Sequence, residues 1–268
     1  MQESRLEGAL AAEARTLLAS ARELLLELSE EGVESVPSAA PPPPRTASET
    51  SASPPAAATT ATPASPPAAQ PSLIERALWP ERPSLDEVRQ VLGECRRCRL
   101  ASGRTHIVFG DGNPEALLMF IGEGPGETED QRGLPFVGRA GELLTQMIEK
   151  GLGIPRSAVY ICNVVKCRPP KNRTPLSDEV EACSPFLDGQ IAAVAPRVIV
   201  ALGKPATSRL LGRDVAITKV RGTWHQYRGI PLLPTFHPAF VLRQYTPETR
   251  RLVWEDLKAA LARARGGA

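Results

Sequence analysis

The chain has 268 residues, 42% of them hydrophobic and 23% charged, with a formal net charge of +2 and five cysteines. That length allows one domain of ordinary size plus an appendage. The odd cysteine count and the MQESRLEGAL start, which has no apolar leader core, argue against a disulfide-stapled secreted protein. No run of about 18 apolar residues marks a membrane span, and a reducing cytosol with metal-bound thiols fits the chain better.

The charge is unevenly spread. Residues 1–70 carry four basic and nine acidic residues, net −5, whereas residues 71–268 carry twenty-eight and twenty-one, net +7. A moderately basic body suits a polyanionic partner without establishing one.

Taken in chain order, residues 1–35 are rich in Ala, Leu, Glu and Arg at helical spacing and predict one amphipathic helix, a docking element for a protein partner or a solubilising tail. Residues 36–70 are almost entirely Pro, Ala, Ser and Thr and predict a disordered tether. The folded body then occupies residues 71–268. It opens with SLDEVRQVLGEC, a helix with Ser84 as its cap and Glu87 three residues on. Apolar runs at 116–122, 158–165, 197–203 and 230–236 read as buried strands. Helical segments at about 139–151, 176–194, 204–211 and 247–264 fall between or after them. The alternation predicts an α/β fold, a three-layer αβα sandwich around a mainly parallel four-stranded sheet. Its site should form in loops beyond the strands' C-terminal ends.

Four cysteines fall into two separated pairs: Cys95 and Cys98 in CRRC, then Cys167 and Cys183. Two thiolates two residues apart can share a metal. Four suit either a [4Fe-4S] cluster or a structural zinc. The fifth, Cys162 in VYICNVV, reads as a packed strand residue.

Each predicted strand runs into an unusual loop. GEGPGETED (122–130) is a compact glycine turn without the lysine of a phosphate-binding loop, and its acids would repel phosphate. It suits a neutral planar ligand, with carboxylates near a reacting carbon. In RGLPFVGRAG, Phe136 is either a core plug or a platform for a base, and composition alone favours the plug. In NVVKCRPPKNRTP, Asn163 can present a donor and an acceptor together, while Lys166, Arg168, Lys171 and Arg173 suit phosphates. In PTFHPAFVLR, His237 stands at a strand end and is suited to stabilising an oxyanion.

Together GEGPGETED, LPFVGRAG, NVVKCRPPKNR, FHPA and the four cysteines resemble the family 4 (thermophile-type) uracil-DNA glycosylases, over roughly residues 84–260. The resemblance implies excision of uracil from DNA, the first step of base excision repair, by a chain carrying a [4Fe-4S] cluster on Cys95, Cys98, Cys167 and Cys183; the expected setting is a bacterial or archaeal cytosol, at the nucleoid, and the expected state a monomer. It implies that Phe136 stacks on a flipped uracil, which reverses the preference for the plug. It further implies that Asn163 reads the base edge, that His237 bonds O2, and that Gly122, Glu123 and Gly124 line the pocket. Gly124 stands where the better-known branch of the superfamily carries an aspartate, so the water is assigned to Glu123 and Asn172. Phe240, Val241 or Leu242 would wedge into the stack, beside Arg243. Two alternatives are a glycosylase of broader scope on deaminated bases and a non-catalytic iron–sulfur or zinc module that binds nucleic acid.

Overall fold

The computed structural model describes residues 82–266. The helix expected in 1–35 and the tether expected in 36–70 lie outside the described residues.

Helix α1 (Leu85–Leu92) starts where Ser84 and Glu87 cap each other: the Glu87 amide donates to Ser84 Oγ at 3.2 Å, and the Ser84 amide donates to Glu87 Oε2 at 2.6 Å. After it come strands β1 (Asp111–Gly112) and β2 (Leu118–Gly122), then helices α2 (Glu127–Arg132) and α3 (Arg139–Gln146), the latter running on as a π turn over Met147–Gly151. Strand β3 (Tyr160–Asn163) leads through the proline-rich loop into α4 (Ser177–Val194). Strand β4 (Val198–Leu202) feeds α5 (Gly203–Leu211), and the short α6 (Ile217–Val220) follows. Strands β5 (His225–Tyr227) and β6 (Ile230–Thr235) precede α7 (Pro238–Arg243) and α8 (Pro247–Ala264).

The strands form one sheet in the order β1-β3-β2-β4-β6-β5. Its four central strands are the expected ones and run parallel; β1 and β5 are antiparallel additions at the two edges. Alternate residues of each central strand face opposite layers. Met119, Ile121, Ile199 and Ala201 pack with Leu187 and Ile191 of α4 and Ala206 of α5. Leu118, Phe120, Val198 and Val200 pack with Leu144 of α3 and Val253 and Leu257 of α8. A strand covered on both faces must be apolar on both, which is why the sequence shows continuous runs there.

Strand β6 contains two prolines, Pro231 opposite Gln226 and Pro234 opposite Ala201. Pro234 lies past the end of β5, so the amide it lacks is not missed from that ladder, and its carbonyl accepts from the Gly222 amide at 2.9 Å.

The register aligns the ends that matter. Gly122 pairs with Asn163, and Leu202 with Thr235, so the chain leaves all four central strands along one edge of the sheet. No described helix is long and apolar enough to cross a membrane.

Leu257 is buried where α8 covers the sheet. Leu257→Ala is expected to cost about 2–5 kcal/mol of unfolding free energy, read from the denaturant midpoint by circular dichroism.

Candidate active site and cysteine cluster

A cavity of about 610 Å³ opens at the C-terminal edge of the sheet. Its walls bring together Glu123, Gly124, Phe136, Asn163, Asn172 and His237, residues drawn from four separate loops. Gly122 lies just behind them at the end of β2.

Asn163 ends β3 with only 1% of its surface exposed, and its Oδ1 has no hydrogen-bond partner. Leaving a buried amide oxygen unanswered costs about 1–3 kcal/mol, so this oxygen is poised for a donor from outside the protein. Gly122 makes the room. A Cβ there would stand 2.4 Å from Asn163 Oδ1 and 2.5 Å from Phe136 Cζ. Glycine is required here by space alone.

Phe136 is held in a left-handed conformation, φ 52°, which is unfavourable for a non-glycine residue. Three contacts fix it. Glu129 Oε1 accepts from the amides of Val137 (2.9 Å) and Gly138 (2.8 Å). Arg156 Nη2 donates to the Pro135 carbonyl at 2.7 Å. Gly141 passes so close beneath that a Cβ would come within 1.9 Å of the Phe136 carbonyl carbon. The ring is then displayed beside the His237 imidazole, centroids 5.6 Å apart and planes tilted by 33°.

His237 caps α7. Its Nδ1 accepts from the Ala239 amide at 3.1 Å, which leaves the proton of the neutral ring on Nε2. Burial, with Arg243 adding to it, drives its pKa down to about 4. The imidazole is therefore a neutral donor at physiological pH.

The acids of GEGPGETED separate on folding: Glu123 and Glu129 line the cavity, and Glu127 and Asp130 are engaged elsewhere. Glu127 pairs with Arg168 at 3.2 Å, and Glu129 holds the Phe136 loop. Asp130 is buried and accepts from the Thr105 amide at 2.9 Å. Glu123 lines the cavity, its carboxyl raised above the ordinary value by burial and pulled back by Thr174. Asn172 is exposed at the rim, in a left-handed turn with Lys171, and its Oδ1 accepts from Arg168 Nε at 2.8 Å.

Several expected phosphate and wedge residues need correction. Lys166 is 1% exposed and donates to the Asn163 carbonyl at 2.6 Å, out of reach of any DNA backbone. Arg173 makes two bonds to the buried carboxylate of Glu179, at 2.8 and 2.7 Å, and so anchors the loop. Val241 is fully buried in the core and cannot wedge. Phe240 lines the cavity but packs on Phe236, centroids 4.8 Å apart. Lys171 and Arg243 are exposed, and Leu242 is partly so.

Lys204, Ile217 and Phe236 also line the cavity and were not singled out in the sequence. Lys204 comes two residues after β4, just past the third apolar run, and that position was the available signal.

Cys95, Cys98, Cys167 and Cys183 line a second, small pocket together with Arg97, Arg104 and Lys166. Arg97 Nη1 points to Cys95 Sγ at 3.3 Å and Arg104 Nη1 to Cys167 Sγ at 3.4 Å. Burial pushes the Cys183 thiol up to about 12 against the pull of Lys166, and it raises Cys167 against Arg104. Among the described residues no three His, Cys, Asp or Glu side chains stand together as ligands of one metal ion. The surroundings do fit a soft, anionic group, because three cations and no carboxylate line a pocket of four sulfurs. Cys162 is buried in β3, as expected.

This geometry falls within a known class. A family profile described as the uracil DNA glycosylase superfamily matches residues 109–258, and the chain belongs to that superfamily. The chain is 48% identical over 183 residues to the type-4 uracil-DNA glycosylase of Sulfurisphaera tokodaii, covering 65% of this chain and 82% of that one. To the type-4 uracil-DNA glycosylase of Thermotoga maritima it is 49% identical over 181 residues, 65% and 94% of the two chains. A type-5 uracil-DNA glycosylase of Thermus thermophilus is 32% identical over 216 residues, 66% and 94% of the two. Within the superfamily the chain belongs to the type-4 uracil-DNA glycosylases.

The depressed His237 value has a measurable sign. Folding favours the neutral ring, so its share of stability is complete above the ordinary histidine value of about 6.5 and drains as pH falls from there toward 4. By NMR, the His237 ring signals should stay at their neutral positions through pH 6.5 and move only near 4.

Proposed function

We propose that the chain excises uracil from DNA, with Asn163, Phe136 and His237 as the residues that recognise the base. The observation that carries this is the unpartnered Asn163 Oδ1, buried beside an aromatic face and a neutral imidazole. One edge of uracil offers an N–H between two carbonyls. An asparagine amide is complementary to it, Oδ1 accepting from N3–H and Nδ2 donating to O4.

An enzyme that reacts at a base in duplex DNA must first extrude it, at a cost of a few kcal/mol. Phe136 gives back part of that through stacking, its strained backbone already paid in the free protein. Breaking the glycosidic bond leaves positive charge on the sugar and negative charge on uracil. The His237 Nε2–H, oriented by the Ala239 amide, donates to O2 as the negative charge grows. A neutral donor suits this task, because it need not give up its proton. Glu123 holds the attacking water from the cavity wall, and Asn172 assists from the rim. The products are free uracil and an abasic site.

Lys171 and Arg243, exposed at the mouth, take the phosphates, and Leu242 enters the vacated stack. Cys95, Cys98, Cys167 and Cys183 hold a [4Fe-4S] cluster that braces the loop between β3 and α4. Hydrolysis of this bond requires no electron. The catalytic unit spans residues 71–268 and acts as a cytoplasmic monomer, with 36–70 as a tether and 1–35 available to a protein partner.

A labelled duplex with a single uracil, incubated with the holoprotein and then treated with alkali, should break at the uracil. Asn163→Ala and His237→Ala are each expected to slow excision by about 10²–10³-fold while leaving the fold intact. A holoprotein that binds the duplex but releases no uracil would sink this reading. The same assay on hypoxanthine reports a broader scope. Absorbance at about 400 nm that bleaches with dithionite would distinguish iron–sulfur from colourless zinc.

A further inference from the structure

Lys166 has no role in the chemistry above, yet it is among the most deeply buried side chains of the molecule. Among the described residues no carboxylate pairs with it. Burying an ammonium is costly, so its neighbours matter. Its main-chain amide faces the Cys183 sulfur, its ammonium lies in the field of that same sulfur, and the residue lines the four-cysteine pocket. The next residue in the chain is Cys167.

The ammonium also reaches the other way. Nζ donates to the main-chain carbonyl of Asn163 at 2.6 Å, in the field of the Cys162 thiol behind it. The segment between is tightly tied: the Val164 amide donates to the Gly122 carbonyl at 2.9 Å, and the Val108 amide to the Lys166 carbonyl at 2.8 Å. A shift of Lys166 would therefore be passed to the peptide that carries the Asn163 amide.

We propose that Lys166 is a positioning residue that couples the four-cysteine site to base recognition, its main-chain amide set against the Cys183 sulfur on one side and its ammonium holding the Asn163 carbonyl on the other. The inference rests on the glycosylase reading, in which Asn163 faces uracil. The four-cysteine site keeps the Lys166 peptide in place, and the ammonium keeps the end of β3 in register. A shift of the cysteine site would move Lys166, and Asn163 with it.

The test compares holoprotein of the wild type with Lys166→Met, which keeps the volume and removes the charge. Three quantities are read: loss of the visible absorbance under a chelator, affinity for free uracil, and affinity for a uracil-free duplex. In Lys166→Met the absorbance should disappear about five-fold faster and uracil should bind about ten-fold more weakly, with duplex affinity unchanged. A side chain that merely fills space would move neither of the first two. A folded Lys166→Met with wild-type absorbance decay and uracil affinity overturns the proposal. So does a weakened duplex affinity with a salt slope lower by about one, which would return Lys166 to the phosphates. Should Lys166→Met not fold, the wild type alone decides. Uracil should slow absorbance loss and a uracil-free duplex should not; equal rates with and without uracil overturn the coupling. A wild type that binds no uracil overturns the base-reading assignment itself, and the coupling with it.

Discussion

Everything at the site depends on one constraint: the parallel register that ends β2 at Gly122 directly beside the end of β3 at Asn163. Only a residue without a side chain can stand there, because a Cβ would strike both the Asn163 amide and the Phe136 ring. With Gly122 in place, the amide turns into the cavity and the ring closes over it. The rest is support for that arrangement. Gly141 and Glu129 hold Phe136 from below and from the side, while Lys166 holds the Asn163 peptide from behind. The expense is spread over a strained φ at Phe136, an unanswered oxygen and a buried ammonium. A stable fold tolerates features of this kind where a ligand or cofactor offsets them.

Much of this was legible in the sequence. The four central strands announce themselves because burial on both faces demands unbroken apolar runs, and the capped helix at Ser84 follows a local rule that tertiary packing does not override. The two edge strands were not legible. Strand β1 is two exposed residues and β5 is three, too short to show alternation. The site motifs stood out because each directly follows an apolar run, which places Asn163 and His237 at strand ends before any coordinates are known.

Side-chain direction within the loops was the part that sequence could not resolve. Lys166 and Lys171 look alike in a basic stretch, but one points into the protein and the other out of it. The loop turns through two left-handed residues, Lys171 and Asn172, and no periodicity encodes that. Likewise Phe240, Val241 and Leu242 read as equivalent apolar residues until α7 assigns each a face, with Val241 to the core. The acids of GEGPGETED part for the same reason, with Glu123 and Glu129 lining the cavity. Glu127, Glu129 and Asp130 diverge to an arginine, a loop and a buried pair of amides. Loop charge counts report which ions are available, whereas packing decides which of them meet solvent.

The prolines of β6 carry a consequence for the molecule's behaviour among its neighbours. Strand β6 delivers His237 to the cavity, and beyond the end of β5 its Pro234 carbonyl is already answered by the Gly222 amide at 2.9 Å. With Pro234 there, that stretch lacks the donor that an incoming strand needs. At Pro234 an extended peptide therefore meets neither a donor nor a free acceptor on the strand that carries His237.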